Sequence, residues 1–342
     1  MSLVWMDGFE GYGNTATDPG VYLARRYAVS STANFSLVAG RVGGFAVKSV
    51  DGGYYFQTPP LTTNSTLIAS FGYRTDYGTP GGISPWAYGI FAMYDGTTQG
   101  MTLTLTADGN IQVCRGTTVL ATTSALGLVI GTWYFIEFKV VCGATGSFEL
   151  RVNGTTVASG TGVNTQAGSH AYHDRVRFFG GAYANPCTDD FYVLDGAGSV
   201  NNTFLGNNKI VAVLPNTDGD ANAWTATGTP HAAQVGDDPP DDDATYVQDN
   251  ASGDKELWHY AAFSSLGTVH GIQVSNDARL TDIGSINLKT LAKSASVESD
   301  GAEQAVTAPT YATFMRIMET DPSGSPWTQA TLNAAQFGVA VG

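Results

Sequence analysis

Apolar and polar residues alternate along most of this chain with a period of two, the signature of half-buried strands rather than helices. The run 101–106, MTLTLT, alternates strictly, turns at Asp108-Gly109 and resumes at 111–114, which predicts a hairpin. The stretch 132–140 places Trp133, Phe135 and Glu137 on one face and Tyr134, Ile136 and Phe138 on the other. The run 147–152 puts Phe148, Leu150 and Val152 inward, and Asn153-Gly154 then predicts a tight turn into 155–159. Further strands are expected at 21–28, 44–48, 53–57, 66–73, 87–94, 174–179 and 188–194. Beyond residue 205 they are expected at 209–214, 245–248, 257–261, 267–275, 285–292, 294–299, 311–318 and 337–341. One short helix is expected over 328–335, capped by Thr328 and anchored by Leu332.

Composition sharpens this. Of 342 residues only 13% are charged, where about 25% is usual, and 42 are glycine. Seven Glu and six Lys are too few for long exposed helices. The net charge is −14, unevenly spread. Residues 1–206 carry 10 basic and 13 acidic groups, and 207–342 carry 6 and 17. No basic stripe offsets it, so nucleic acid is not an expected partner. No apolar run approaches membrane length and the N-terminus lacks signal-peptide character, so neither membrane insertion nor export on a signal of its own is expected. Cys114, Cys142 and Cys187 lack the count and spacing of a disulfide or zinc framework and are expected to be reduced. The Gly/Asn-rich stretch 201–208 reads as a linker between domains 1–200 and 209–342.

The segments GTWYFIEFK (131–139), GSFELRVNG (146–154) and TDDFYVLDG (188–196) resemble the concanavalin A-like lectin/glucanase jelly roll, laminin-G-like domains included. The last of these, followed by KIVAVLPNTDGD, DDPPDDDATYV and a terminal PWTQATLNAAQFGVAVG, is similar to tailed-bacteriophage structural proteins. The resemblance implies an all-β chain: a concanavalin A-like jelly-roll sandwich, then a second, smaller β-sandwich. It also implies a virion component of tail, fibre, neck or capsid surface, synthesised in the host cytoplasm and contacting other virion proteins. A homo-oligomer, trimeric or of higher cyclic symmetry, is expected. The alternative is a carbohydrate-binding module that attaches the particle to a host glycan.

Candidate chemistry is sparse. Glucanases of the resembled fold set out acids as Glu-x-Asp-x-x-Glu, so that alternate residues share one strand face. No Glu here begins that motif, no Gly-x-Ser-x-Gly occurs, and Glu137 reads as a solvated or capped outer-face residue. The expectation is therefore a non-enzyme. His170 and His173 read as loop polar residues. Trp86, Tyr88 and Tyr77 are the candidate carbohydrate or subunit contacts, with Tyr94, Tyr172 and Tyr183 as further aromatics in or beside loops. Asp237, Asp238, Asp241, Asp242 and Asp243 form the densest acidic run and are the candidate ligands for a cation, Ca2+ by their oxygen chemistry. As a solvated loop, the same run is expected to raise its own proton affinity by mutual repulsion.

Overall fold

The computed structural model describes residues 2–15, 17–49, 53–76, 88–124, 126–180 and 185–342, with the backbone alone at Tyr88. The chain is all-β and divides into two compact units, Met1–Val211 and Ala212–Gly342. Among the described residues no helix is long and apolar enough to cross a membrane.

Two antiparallel sheets make the first unit. The first runs in the order Thr155–Val163, Gly146–Val152, Tyr134–Val141, Thr66–Thr75, Pro186–Leu194, Phe45–Ser49 and Phe35–Ala39, with Leu3–Asp7 also paired to Pro186–Leu194. The second runs Thr118–Thr122, Ile111–Arg115, Thr98–Leu105, Tyr88–Asp95, Arg175–Phe179, Tyr55–Gln57 and Ala28–Val29. Hairpins form parts of each sheet, but long crossovers join its middle strands, such as Thr66–Thr75 beside Pro186–Leu194 and Tyr88–Asp95 beside Arg175–Phe179, as in a jelly-roll sandwich rather than a meander. Alternation decides which side chains enter the space between the sheets. Phe71 of the first sheet stacks on Phe91 of the second at 5.1 Å, and Phe178 meets Phe71, Phe191 and Phe56 at 4.8–5.0 Å. All five rings are buried. Asn153 and Gly154 take φ of 49° and 80°, as a two-residue turn between right-twisted strands requires.

The expected strand at 21–28 is absent. Gly20–Leu23 is one helical turn with Leu23 buried, and only Ala28–Val29 is extended. A Cβ at Gly20 would lie 1.9 Å from the Thr32 carbonyl oxygen, so only glycine allows that approach. Arg26 and Tyr27 then turn inward onto Asp7.

The stretch 203–210 lies in the first unit, laid across the outer face of its first sheet. Arg151 stacks on Phe204 at 4.1 Å, and the Gly206 amide donates to Glu137 Oε1 at 2.9 Å. Tyr192 Oη donates to the Gly206 carbonyl, and the Ile210 amide donates to Asp190 Oδ1. Arg41, held by Asp190 at 2.7 Å, donates to Asn207 and to the Asn208 carbonyl. Glu137 is consequently neither solvated nor on an open face: it is 0% exposed, and burial raises its carboxyl above the ordinary range.

In the second unit a six-stranded sheet orders Pro215–Asn222, Lys255–Tyr260, Gln336–Val341, Ile286–Ser294 and Val297–Asp300, with Gln304–Val306 also on Ile286–Ser294. The ribbon Ile272–Ala278/Ala312–Met318 is layered on it, with Val274 and Met318 packed against Ala292 and Phe337. The helix Gln329–Ala334 closes this cluster with Leu332. Thr328 caps it, accepting from the Thr331 amide, while Thr331 Oγ1 accepts from the Thr328 amide.

Candidate functional site

Residues 203–210 lie over Arg151, Glu137 and Tyr192 on the first sheet's outer face, and the outer face of the second sheet carries side chains that solvent reaches. Phe56, Phe91 and Phe178 point into the core, so their strand neighbours point outward. Register sets Arg177 directly opposite Gln57 on one side and Ala92 on the other, with Phe179 opposite Tyr55 and Arg175 opposite Tyr94. Ala92 is fully buried and small, which makes it a floor over which longer neighbours can meet. The Arg177 guanidinium lies 3.8 Å from the Tyr55 ring centroid and 4.3 Å from that of Tyr94. Its Nε donates to Gln57 Oε1 at 2.8 Å. Tyr94 Oη donates to Gln99 Oε1, whose amide donates to Thr102 Oγ1. Burial raises the Tyr94 phenol, with Arg177 opposing, so Tyr94 presents a neutral ring beside the cation at neutral pH. Tyr55, Gln57, Arg177 and Phe179 are half-buried and Gln99 exposed, so solvent reaches this face. Aromatic rings, amides, a hydroxyl and a guanidinium on a rigid sheet suit a polar ring with apolar CH faces: the rings stack and the polar tips select hydroxyl or acid groups.

Trp86 and Tyr77 lie outside the described residues. Tyr88 opens the strand Tyr88–Asp95 that carries Tyr94. The acidic run sits in the second unit and its carboxylates have protein partners. Asp237 and Asp241 accept from the Thr245 hydroxyl, and Asp241 also from its amide. Asp243 accepts from Arg279 at 2.7 Å and from Tyr311 Oη at 2.9 Å. Asp238 and Asp242 are also engaged. Among the described residues no group of three or more His, Cys, Asp or Glu is set for a metal.

The sign expected for the loop reverses at Asp243, where hydrogen bonds from Arg279 and Tyr311 hold the carboxyl below its ordinary value. A depressed folded-state value adds stability above the unfolded-state value and loses it as pH falls through the folded one. Asp243→Asn should therefore lower the melting temperature slightly at pH 7. The difference should fade as pH falls through the lowered value of the carboxyl, and in high salt. Melting curves across pH check this, and a mutant more stable at pH 7 would restore the repulsion reading.

His170 and His173 do not converge on one centre. Asp95 Oδ1 lies 2.8 Å from His170 Nδ1, whereas His173 is buried with Nε2 4.0 Å from Cys142 Sγ. Burial pushes His173 down to about 4 and the Cys142 thiol up to about 11, so both are neutral at pH 7. The three cysteines are free and buried.

Sequence reasoning marked Tyr94 but missed Arg177, Tyr55, Gln57 and Gln99. The available signal was Arg175-Val-Arg-Phe-Phe179, which puts two outward arginines on one strand of a charge-poor chain.

No family model matches the chain, and no curated protein matches it. Among solved structures it is similar to the cellulose induced protein Cip1, at 16% identity and TM-score 0.42, covering 60% of this chain and 100% of that one. It is similar to the alginate lyase Aly36B, at 12% and 0.41, covering 57% and 95%. A third is a carbohydrate esterase from the Shiga toxin-encoding bacteriophage phi24B, at 11% and 0.38, covering 56% and 99%. The expectation of a non-enzyme does not stand against this finding, since a lyase and an esterase are among the similar structures. The missing Glu-x-Asp-x-x-Glu rules out one arrangement of carboxylates on a strand and no other chemistry.

Proposed function

We propose that the first unit is a carbohydrate-recognition module that takes a polysaccharide on the outer face of its second sheet. One observation carries the reading: the outer face of the second sheet holds a solvent-reached array of Tyr55, Gln57, Gln99, Arg177 and Phe179, while residues 203–210 lie over Glu137, Arg151 and Tyr192 of the first. The motifs similar to tailed-phage proteins supply the setting, attachment of a virion to a host surface glycan. A cyclic homo-oligomer would offer several such faces to one polymer and raise avidity without new contacts.

The test is retardation of the full chain in gels containing neutral or acidic polysaccharides. At least one polymer should retard it. Tyr55→Ala and Gln99→Ala should each weaken that binding by about 3- to 10-fold, the scale of one stacking or hydrogen-bonding contact. Retardation by no polymer, or retardation indifferent to both substitutions, would overturn the reading.

A further inference from the structure

We propose that the ligand of this face is a polysaccharide bearing carboxylates and that Arg177 is the residue that selects for them. The inference rests on the carbohydrate reading above and adds the ligand's charge. Its ground is the contrast between Arg177 and six of the chain's other nine arginines. Arg26, Arg41, Arg74, Arg151, Arg175 and Arg279 are each paired with a carboxylate of the chain. Arg175, two residues away on the same strand and face, is held by Asp174 at 2.8 Å. Among the described residues Arg177 has no such partner, although the chain holds 30 acidic residues against 16 basic. Its sheet neighbours are Tyr55, Gln57, Ala92, Tyr94 and Phe179, none of them acidic. Among the described residues its Nη groups donate to no protein atom, and they are not among the buried polar atoms left without a partner.

The guanidinium is also held in place. Two tyrosine rings lie within 3.8 and 4.3 Å of it and Gln57 takes the Nε hydrogen, which leaves the two Nη groups without a partner among the described residues. A planar fork of fixed orientation matches a planar carboxylate in two parallel hydrogen bonds, and the flanking rings exclude the water that would weaken them. A sugar hydroxyl can accept from the same edge but leaves the charge uncompensated. A sulfate can take the same two-pronged contact, so dextran sulfate is the competing anion in the test.

The experiment measures binding of the full chain to uronate polymers (alginate, polygalacturonate, hyaluronate) and to polysialate. Each is also tested after reduction of its carboxyls to alcohols, with dextran sulfate, a neutral glucan and polyglutamate alongside. The expected result is that at least one carboxylated polysaccharide binds and its reduced form binds about 10- to 100-fold more weakly, the scale of a charge-assisted pair. Arg177→Gln should impose a similar loss on the native polymer and none on the reduced one. Arg177→Lys, which keeps the charge but not the fork, should recover only part of the affinity; melting curves of both variants show whether the fold is kept. Equal binding of native and reduced polymer, preference for dextran sulfate or polyglutamate, or indifference to both substitutions would overturn the inference. If only neutral polysaccharides bind, the inference falls and the carbohydrate reading survives; if no polysaccharide binds, both fall.

Discussion

Replacing Asp7 by alanine should cost the first unit about 3–5 kcal/mol, the scale for stripping one partner from a buried ion pair. Asp7 and Arg26 sit 3.1 Å apart with side chains 4% and 9% exposed. The carboxylate also accepts from Tyr12 Oη at 2.6 Å, Tyr27 Oη at 2.8 Å and the Phe9 amide at 2.8 Å. Removing it orphans those donors and leaves a guanidinium buried among Trp5, Tyr12 and Tyr27. With Asp7 in place, burial and then the Asp7 charge hold both phenols well above their ordinary range, so they act as neutral donors to the carboxylate. Asp7→Asn, which keeps an acceptor but no charge, should fall between wild type and Asp7→Ala. Urea unfolding of the first unit checks this. A loss under about 1 kcal/mol would mean that Arg26 escapes to solvent when its partner goes.

The second large effect is a pH dependence centred on Asp189. Burial, then the charge of Asp190, push its carboxyl up to about 7, against amides of Arg41 and Asp190 that donate to it. Arg41, Asp190 and Glu10 are the charged groups around it. A raised folded-state value contributes stability below the unfolded-state value of about 3.9 and loses it as pH climbs through the folded one. Stability should therefore decline between about pH 4 and 7 by an amount on the order of a few kcal/mol. Asp189→Asn should match wild type below about pH 4 and exceed it increasingly up to pH 8. An asparagine variant less stable at pH 8 would show that the ionised form is the one the amides hold. The effect matters for the site because Arg41 and Asp190 also anchor residues 207–210 over the first sheet.

Much of this architecture is written in short-range pattern. The alternation of Phe148, Leu150 and Val152 with Glu149 and Arg151 appears as strict burial alternation, and Asn153-Gly154 makes its turn. Where one strand face is buried, a period of two is enough. It misled at 209–214, where KIVAVL is not a strand: Ile210 is tied to Asp190 and the strand comes next, at Pro215–Asn222. That strand is polar because it is an edge, paired only with Lys255–Tyr260, and backbone hydrogen bonds rather than apolar side chains define it.

The candidate site was far less legible. Tyr55, Tyr94 and Arg177 belong to three strands remote in sequence, and only the order Tyr88–Asp95, Arg175–Phe179, Tyr55–Gln57 brings them together. No local spacing encodes that neighbourhood. The acidic run, conspicuous in sequence, folds onto Thr245, Arg279 and Tyr311 instead.

The most direct test of the central claim is hydrogen–deuterium exchange of the full chain with and without its tightest-binding polysaccharide. The account predicts slowed exchange in Tyr88–Asp95, Arg175–Phe179 and Tyr55–Gln57, with Tyr134–Val141 and the second unit unchanged. Protection confined to 203–210 and the first sheet, or to the second unit, would contradict it.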